Sequence, residues 1–306
     1  MEHANYPETN DNRLLSFSLQ RPVLTMLVLF VLALFVKVLD TLVFRFDEML
    51  GEAILTKSLG FLLVLAYLWI AGRKLRDIGF KTRFLGKALL LAAVGFICLY
   101  VVAYLAQIIA LRVGGVDAGL AFSAVDYRTG MTGGLLFGAW LLFGNLVNSA
   151  MEEGLFRGAM LRHFMRRYSP WKAILLAAAL FVLWHMTGPV KVLMDVEGGS
   201  GQAALEALTL LVGTSISGVV YAYLYLKTDN LWAPFLAHTI NNSVFNVLFI
   251  RTDVGLSSGL EFGLFLGIFL AGYLALIPAF RYFARRWELP EVKPWGDFEE
   301  GLAGEG

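Results

Sequence analysis

Apolar residues run in blocks too long for the core of a soluble domain. They occupy approximately 22–44, 52–72, 86–111, 132–167, 171–188, 205–226, 231–250 and 259–280. Each comes close to, or exceeds, the ~20 residues a helix needs to cross the hydrocarbon of a bilayer. A chain inside lipid must satisfy its backbone hydrogen bonds within each segment, so helices are the expected elements. The pattern predicts an all-α, polytopic membrane bundle of about eight transmembrane helices. Residues 1–21 read as a polar N-terminal tail, 22–286 as one membrane domain, and 287–306, rich in Pro, Gly and acids, as a disordered tail.

Charge gives the bundle a direction. One set of alternating connections, from Arg13 to Lys293, carries 17 Lys and Arg, whereas the other carries 5: Arg45, Arg112, Arg128, Lys191 and Arg251. Positive residues stay on the cytoplasmic side, so both termini are expected there, and an even number of spans agrees. The polar start lacks the basic region and cleavage site of a signal peptide. Short connections and no organelle signal point to a prokaryotic cell membrane.

Composition sharpens the picture. The chain of 306 residues is 58% hydrophobic and 16% charged, with a mean hydropathy of +0.67. Soluble domains are roughly 45–50% apolar and 25% charged. A net charge of +1 offers nothing to nucleic acid, and the single cysteine, Cys98, excludes an internal disulfide. The bilayer is therefore the first expected partner.

Against this background the stretch "NLVNSAMEEGLFRGAMLRHFMRRYSP" at 145–170 stands apart, because it carries Glu152 and Glu153 at membrane depth. An ionisable group there costs at least ~2.5–3.5 kcal/mol on insertion scales, so it needs a partner and a purpose. Arg157 lies four residues after Glu153, on the same helix face, and the pair reads first as a structural ion pair. Glu152 is turned about 100° away and is left facing across the bundle. Ser169-Pro170 turns the chain. In the resulting hairpin, Glu152 and His185 are equidistant from the turn and should lie level.

Of the four histidines, His3 falls in the tail and His163 in a basic loop. His238 opens "HTINNSVFN" in the seventh span, with Asn242 one turn on, on the same face. Asn241, Asn242 and Asn246 also suit ordinary interhelical hydrogen bonds, worth ~0.6 kcal/mol each. Lys37 and Asp40, three residues apart, suit a pair of their own. Glu152, His185, His238 and Asn242 together form a polar cluster that packing alone does not account for.

Three motifs then bring a resemblance. "EEGLFR" at 152–157, "FVLWH" at 181–185 and "HTINN" at 238–242, in this order and on separate apolar segments, resemble the CPBP family. These are the CAAX prenyl endopeptidases of the Ras-converting type and their bacteriocin-processing relatives. "LRDIGF" at 75–80 is similar to the loop found after the second span in that family. The resemblance covers approximately 60–250, with its motifs in about 145–246. It implies an intramembrane endopeptidase acting on a peptide or protein substrate that is membrane-anchored or prenylated.

The chemistry can also be argued from the residues. Hydrolysis of a peptide bond needs a deprotonated water, a stabilised oxyanion and a protonated leaving amine. Glu152 suits the general base and His185 a polariser of the same water. His238 and Asn242 suit donors to the oxyanion, with Glu153 and Arg157 behind them. Zinc is the competing mechanism, since Glu152, His185 and His238 form a familiar ligand set. No HExxH is present, so the reading without a cofactor is preferred. A transporter and a catalytically idle immunity or scaffold relative are the alternative functions. The first would call for broken helices or inverted repeats, which the sequence does not display.

Overall fold

A computed structural model of the protein describes residues 12–51, 53–126, 130–195, 199–253 and 258–297. The chain begins with α1 (Arg13–Gln20), capped by the Asn12 side chain, which accepts from the Leu15 amide at 2.9 Å. It continues through α2 (Pro22–Val38, drawn on by a π turn over Leu39–Val43), α3 (Phe46–Leu50), α4 (Ile54–Ile70) and α5 (Leu85–Val113). Three short strands follow, β1 (Ala118–Phe122), β2 (Ala124–Val125) and β3 (Thr132–Gly133). Then come α6 (Leu135–Glu152), a π segment (Glu153–Leu161) and α7 (Arg162–Phe164), which form one continuous rod. The remainder is α8 (Pro170–His185), α9 (Thr187–Met194), α10 (Gly199–Thr228), α11 (Trp232–Val247), β4 (Leu248–Thr252) and α12 (Ser258–Arg286).

Each apolar block of the sequence lies on one of these helices. Pro22–Val43, Leu85–Val113, Pro170–Met194 and Ala203–Thr228 are long and apolar enough to cross a membrane by themselves, and Ile54–Ile70 is a shorter apolar helix. Burial has the sense expected in lipid. On α2, Met26, Leu29 and Phe30 are buried, while Val28, Val31 and Phe35 are exposed. A water-soluble helix would carry polar residues on that outer face. The seventh block ends earlier than its hydrophobicity suggests. Backbone pairing takes over at Leu248, where β4 lies antiparallel to β1 with Phe122 opposite Leu248 and Ala118 opposite Thr252.

The rod of α6, the π segment and α7 is the hub. It packs against α4 and α11 along α6, and against α2, α4, α8 and α10 along the π segment. Every residue from Met151 to Phe164 is buried. A helix enclosed on all sides can hold charge at membrane depth, because its partners rather than lipid surround it.

The basic connections interlock at one end of the bundle. Lys81 pairs with Asp229 at 2.6 Å, and Arg162 binds the carbonyls of Lys293 and Asp77. The "LRDIGF" loop plugs into this end. Ile78 is buried, its carbonyl accepts from Tyr225 Oη at 2.7 Å, and the Gly79 carbonyl accepts from the Leu231 amide at 2.7 Å. Gly79 has φ +109°, and a Cβ there would stand 2.4 Å from Tyr225 Oη. Only glycine meets both demands.

Three expectations change at this end. The segment 287–297, read as disordered from its Pro, Gly and acid content, is docked. Trp295 is fully buried, its indole donates to Ser18 Oγ at 3.1 Å, and its amide donates to the Arg162 carbonyl at 2.9 Å. One large aromatic anchor outweighs a polar composition. Residues 298–306 lie outside the described residues. The part of the N-terminal tail from Arg13 onward is helical, and Ser18 on it is buried. His163, read as a loop residue, sits on α7 with no exposure, its Nε2 2.6 Å from Tyr67 Oη and its ring stacked 4.4 Å from that of Trp295. His3 lies outside the described residues.

Candidate active site

The two glutamates stand where α6 passes into its π segment. A π turn adds a residue to the helical circuit and so re-aims the side chains around it, a feature frequent at functional sites. This segment, EGLFRGAML, carries two glycines. At the second, Gly158, an added Cβ would lie 3.0 Å from the Ile78 carbonyl oxygen, so the loop after α4 presses directly on the rod.

Glu153 is fully buried and makes the ion pair expected from its spacing, with Arg157 Nη1 3.0 Å from its Oε1. The same oxygen lies 2.7 Å from His238 Nδ1. The arginine is held a second way, with its guanidinium 4.2 Å above the Phe181 ring and 5.4 Å from that of Tyr221. Cation–π contacts of this kind gain strength when desolvated.

Glu152 faces the other way, towards α8 and α11. Its Oε1 accepts from Trp184 Nε1 at 2.8 Å, and its Oε2 stands 3.6 Å from His238 Nε2. Hairpin depth therefore puts Glu152 level with the end of α8, and the indole one residue before His185 reaches the carboxylate. His238 stands between both glutamates, one on each ring nitrogen. Its Nδ1–H donates to Glu153, which leaves Nε2 turned to Glu152. Its ring stacks on Tyr221, with centroids 5.2 Å apart.

His185 is half-buried, and its Nδ1 lies 2.8 Å from the Phe181 carbonyl, which directs Nε2 away from its own helix. The groups that act electrostatically on the Glu152 carboxylate are His185, His238 and Lys37. Lys37 reaches in from α2, donating to the Trp184 carbonyl at 2.9 Å and lying 4.3 Å from the Trp184 ring. Asp40 serves a different element, its Oδ2 accepting from the Thr56 amide at 2.7 Å and from Thr56 Oγ1 at 2.6 Å.

Asn242 comes to the same interface by helix register. α6 and α11 run antiparallel. His238 meets Glu153, and Asn246 Oδ1 accepts from Asn145 Nδ2 at 2.9 Å, a step of eight residues on either helix. Asn242, halfway between, lies level with Ser149, whose buried Oγ makes no hydrogen bond to the described residues. Asn242 Oδ1 accepts from Asn241 Nδ2 at 3.1 Å.

Sequence reasoning missed Trp184, Tyr221, Lys37 as a neighbour of Glu152, and Ser149. A tryptophan or tyrosine in an apolar helix reads as core or lipid-facing, and only its tertiary contact distinguishes it. As to zinc, no three His, Cys, Asp or Glu side chains among the described residues converge closely enough to hold a metal ion. His238 Nδ1 is held by Glu153 and Glu152 Oε1 by Trp184, which leaves His238 Nε2 and Glu152 Oε2 facing each other.

Residues 134–244 match the family model described as Type II CAAX prenyl endopeptidase Rce1-like. No curated protein and no solved structure matches the chain. The matched span opens at the start of α6 and closes two residues beyond Asn242, so it takes in both glutamates, Arg157, both site histidines, Asn241 and Asn242. Over these residues the chain is similar to the Rce1-like type II CAAX prenyl endopeptidases, a family of intramembrane endopeptidases whose substrates are peptides or proteins in the membrane.

Proposed function

We propose that this protein hydrolyses peptide bonds of membrane-anchored or lipid-modified substrates, with Glu152 as the general base and without a resident metal. The observation that carries this reading is the Oε2 atom of Glu152. It is buried, makes no hydrogen bond to the described residues, and stands 3.6 Å from His238 Nε2. That separation is too long for a direct hydrogen bond and leaves Oε2 open to a water.

The steps follow from what each side chain can donate or accept. Glu152 takes a proton from water, and His185 Nε2 holds and polarises the same molecule. The hydroxide adds to the scissile carbonyl carbon, and charge develops on its oxygen. Asn242 Nδ2 donates to that oxyanion, and so does His238 when its ring enters the cycle with a proton on Nε2. Protonated Glu152 then delivers its proton to the leaving amine as the tetrahedral intermediate collapses. Arg157 holds Glu153, and Trp184 fixes Oε1 so that Oε2 is the basic oxygen.

The test is cleavage of membrane-anchored peptides by the purified protein in liposomes, with new termini read by mass spectrometry. The expected result is hydrolysis that persists in phenanthroline, with sub-stoichiometric metal in the protein. Activity lost to the chelator and restored by zinc overturns the metal-free mechanism. Solute flux without new termini overturns the peptidase.

The proposal places the basic end of the bundle, with both termini, in the cytoplasm of a prokaryotic cell. In a Cys98→Ala background, a cysteine at Ser169 is expected to react with an impermeant thiol reagent only from the cytoplasmic side. A cysteine at Ser123, exposed beyond β1, is expected to react only from the opposite side. Labelling of both from one side would sink this orientation.

A further inference from the structure

We propose that Asn241 is a positioning residue. Held by the hydroxyls of Tyr100 and Tyr273, it locks the Asn242 amide with its NH₂ free to donate to the oxyanion. The inference rests on Asn242 as the oxyanion donor and adds the device that orients it.

A carboxamide presents an acceptor on one side and two donors on the other, and nothing in its shape selects between its two flips. For Asn242 the selection comes from its neighbour. Asn241 Oδ1 accepts from both Tyr100 Oη and Tyr273 Oη, which occupies its two lone pairs. Its Nδ2 must then point the other way, where it donates to Asn242 Oδ1 at 3.1 Å. With Oδ1 taken, the Nδ2 of Asn242 faces away from Asn241, and no described residue accepts from it.

Reversing Asn242 would set its NH₂ against the NH₂ of Asn241, donor against donor. Reversing Asn241 as well would strand the Tyr100 hydroxyl hydrogen, which has no other acceptor among the described residues. A buried donor left without a partner costs about 1–3 kcal/mol, so the network is strongly one-sided. It also reaches the histidine, since Tyr273 Oη lies 3.4 Å from Tyr221 Oη and the Tyr221 ring stacks on His238. The tyrosines come from α5, α10 and α12, and the residues they orient from α11. Three helices that carry none of the family motifs thereby set the geometry of one that does.

The experiment compares kcat and KM for the Tyr100→Phe/Tyr273→Phe pair in the wild-type and in the Asn242→Ala background. The expected result is a fall in kcat of about tenfold with KM unchanged, as residues in one hydrogen-bonded network couple. In the Asn242→Ala background the same pair should change kcat by less than about twofold, because nothing remains to be oriented. An equal effect in both backgrounds overturns the proposal, since a merely structural role would act regardless of Asn242. An unchanged kcat in Asn242→Ala alone removes the oxyanion role itself and the inference with it. As a second variant, Asn241→Asp still accepts both tyrosine hydroxyls but cannot donate to Asn242. It is expected to match the kcat loss of Asn242→Ala, and wild-type kcat in a folded Asn241→Asp protein overturns the proposal.

Discussion

Replacing Glu152 by Gln should abolish hydrolysis and leave the bundle intact. The amide fills the same volume, and its oxygen keeps the bond from Trp184 Nε1. Its NH₂ takes the place of Oε2, 3.6 Å from His238 Nε2. A neutral amide replaces a buried ionisable group, so the melting temperature should hold or rise. Catalysis loses its proton acceptor. Positioned acid–base groups contribute about 10²–10⁴ in rate, and here one group serves as both base and acid, so a loss of at least ~10³ in kcat is expected. Initial rates on a membrane-anchored peptide, with thermal unfolding of both proteins in detergent, check it. A variant that still cleaves within tenfold of wild type ends the assignment of Glu152 as the base.

The largest effect on stability should come from Arg157→Met. Methionine keeps much of the packing against Phe181 and removes the arginine that, among the described residues, pairs with Glu153. An uncompensated charge in a buried site costs about 3–5 kcal/mol, more than an intact pair is worth relative to apolar neighbours. Adding Glu153→Gln to Arg157→Met should recover much of the loss, because the amide no longer requires a cation and its oxygen can still accept from His238 Nδ1. Thermal unfolding of the two variants measures this. If Arg157→Met melts with the wild type, the ion pair does not hold the rod in place.

The unequal effects expected of Glu152 and Glu153 trace to two kinds of information in the chain. The Glu153–Arg157 pair needs only the spacing along one helix, and it was legible directly. So was the common depth of Glu152 and the end of α8, because an antiparallel hairpin turning at Ser169-Pro170 leaves no other register. The helix positions and the gathering of basic connections at one end follow similarly from block length and charge. Each depends on distances within a helix or between neighbours joined by a short turn.

What the sequence left open concerns rotation and long-range docking. Helices apolar on all faces, as α2, α4 and α8 nearly are, carry no polar stripe to say which side meets which neighbour. The π segment then re-aims Glu152 and Glu153 by an amount that no 3.6-residue periodicity records. Only the tertiary structure therefore decided that His238 stands between the two glutamates, that Trp184 rather than His185 hydrogen-bonds to Glu152, and that Lys37 arrives from α2. The docking of Trp295 onto His163 is of the same kind, since one buried indole far along the chain outweighs the composition around it. By itself the sequence determined the apolar helices, the level pairing of neighbours joined by a short turn, and the residues able to do chemistry. The packing of helices distant in the chain decided which of those residues touch, because contacts between rotationally ambiguous apolar helices are selected by the fit of the whole bundle and by no local pattern.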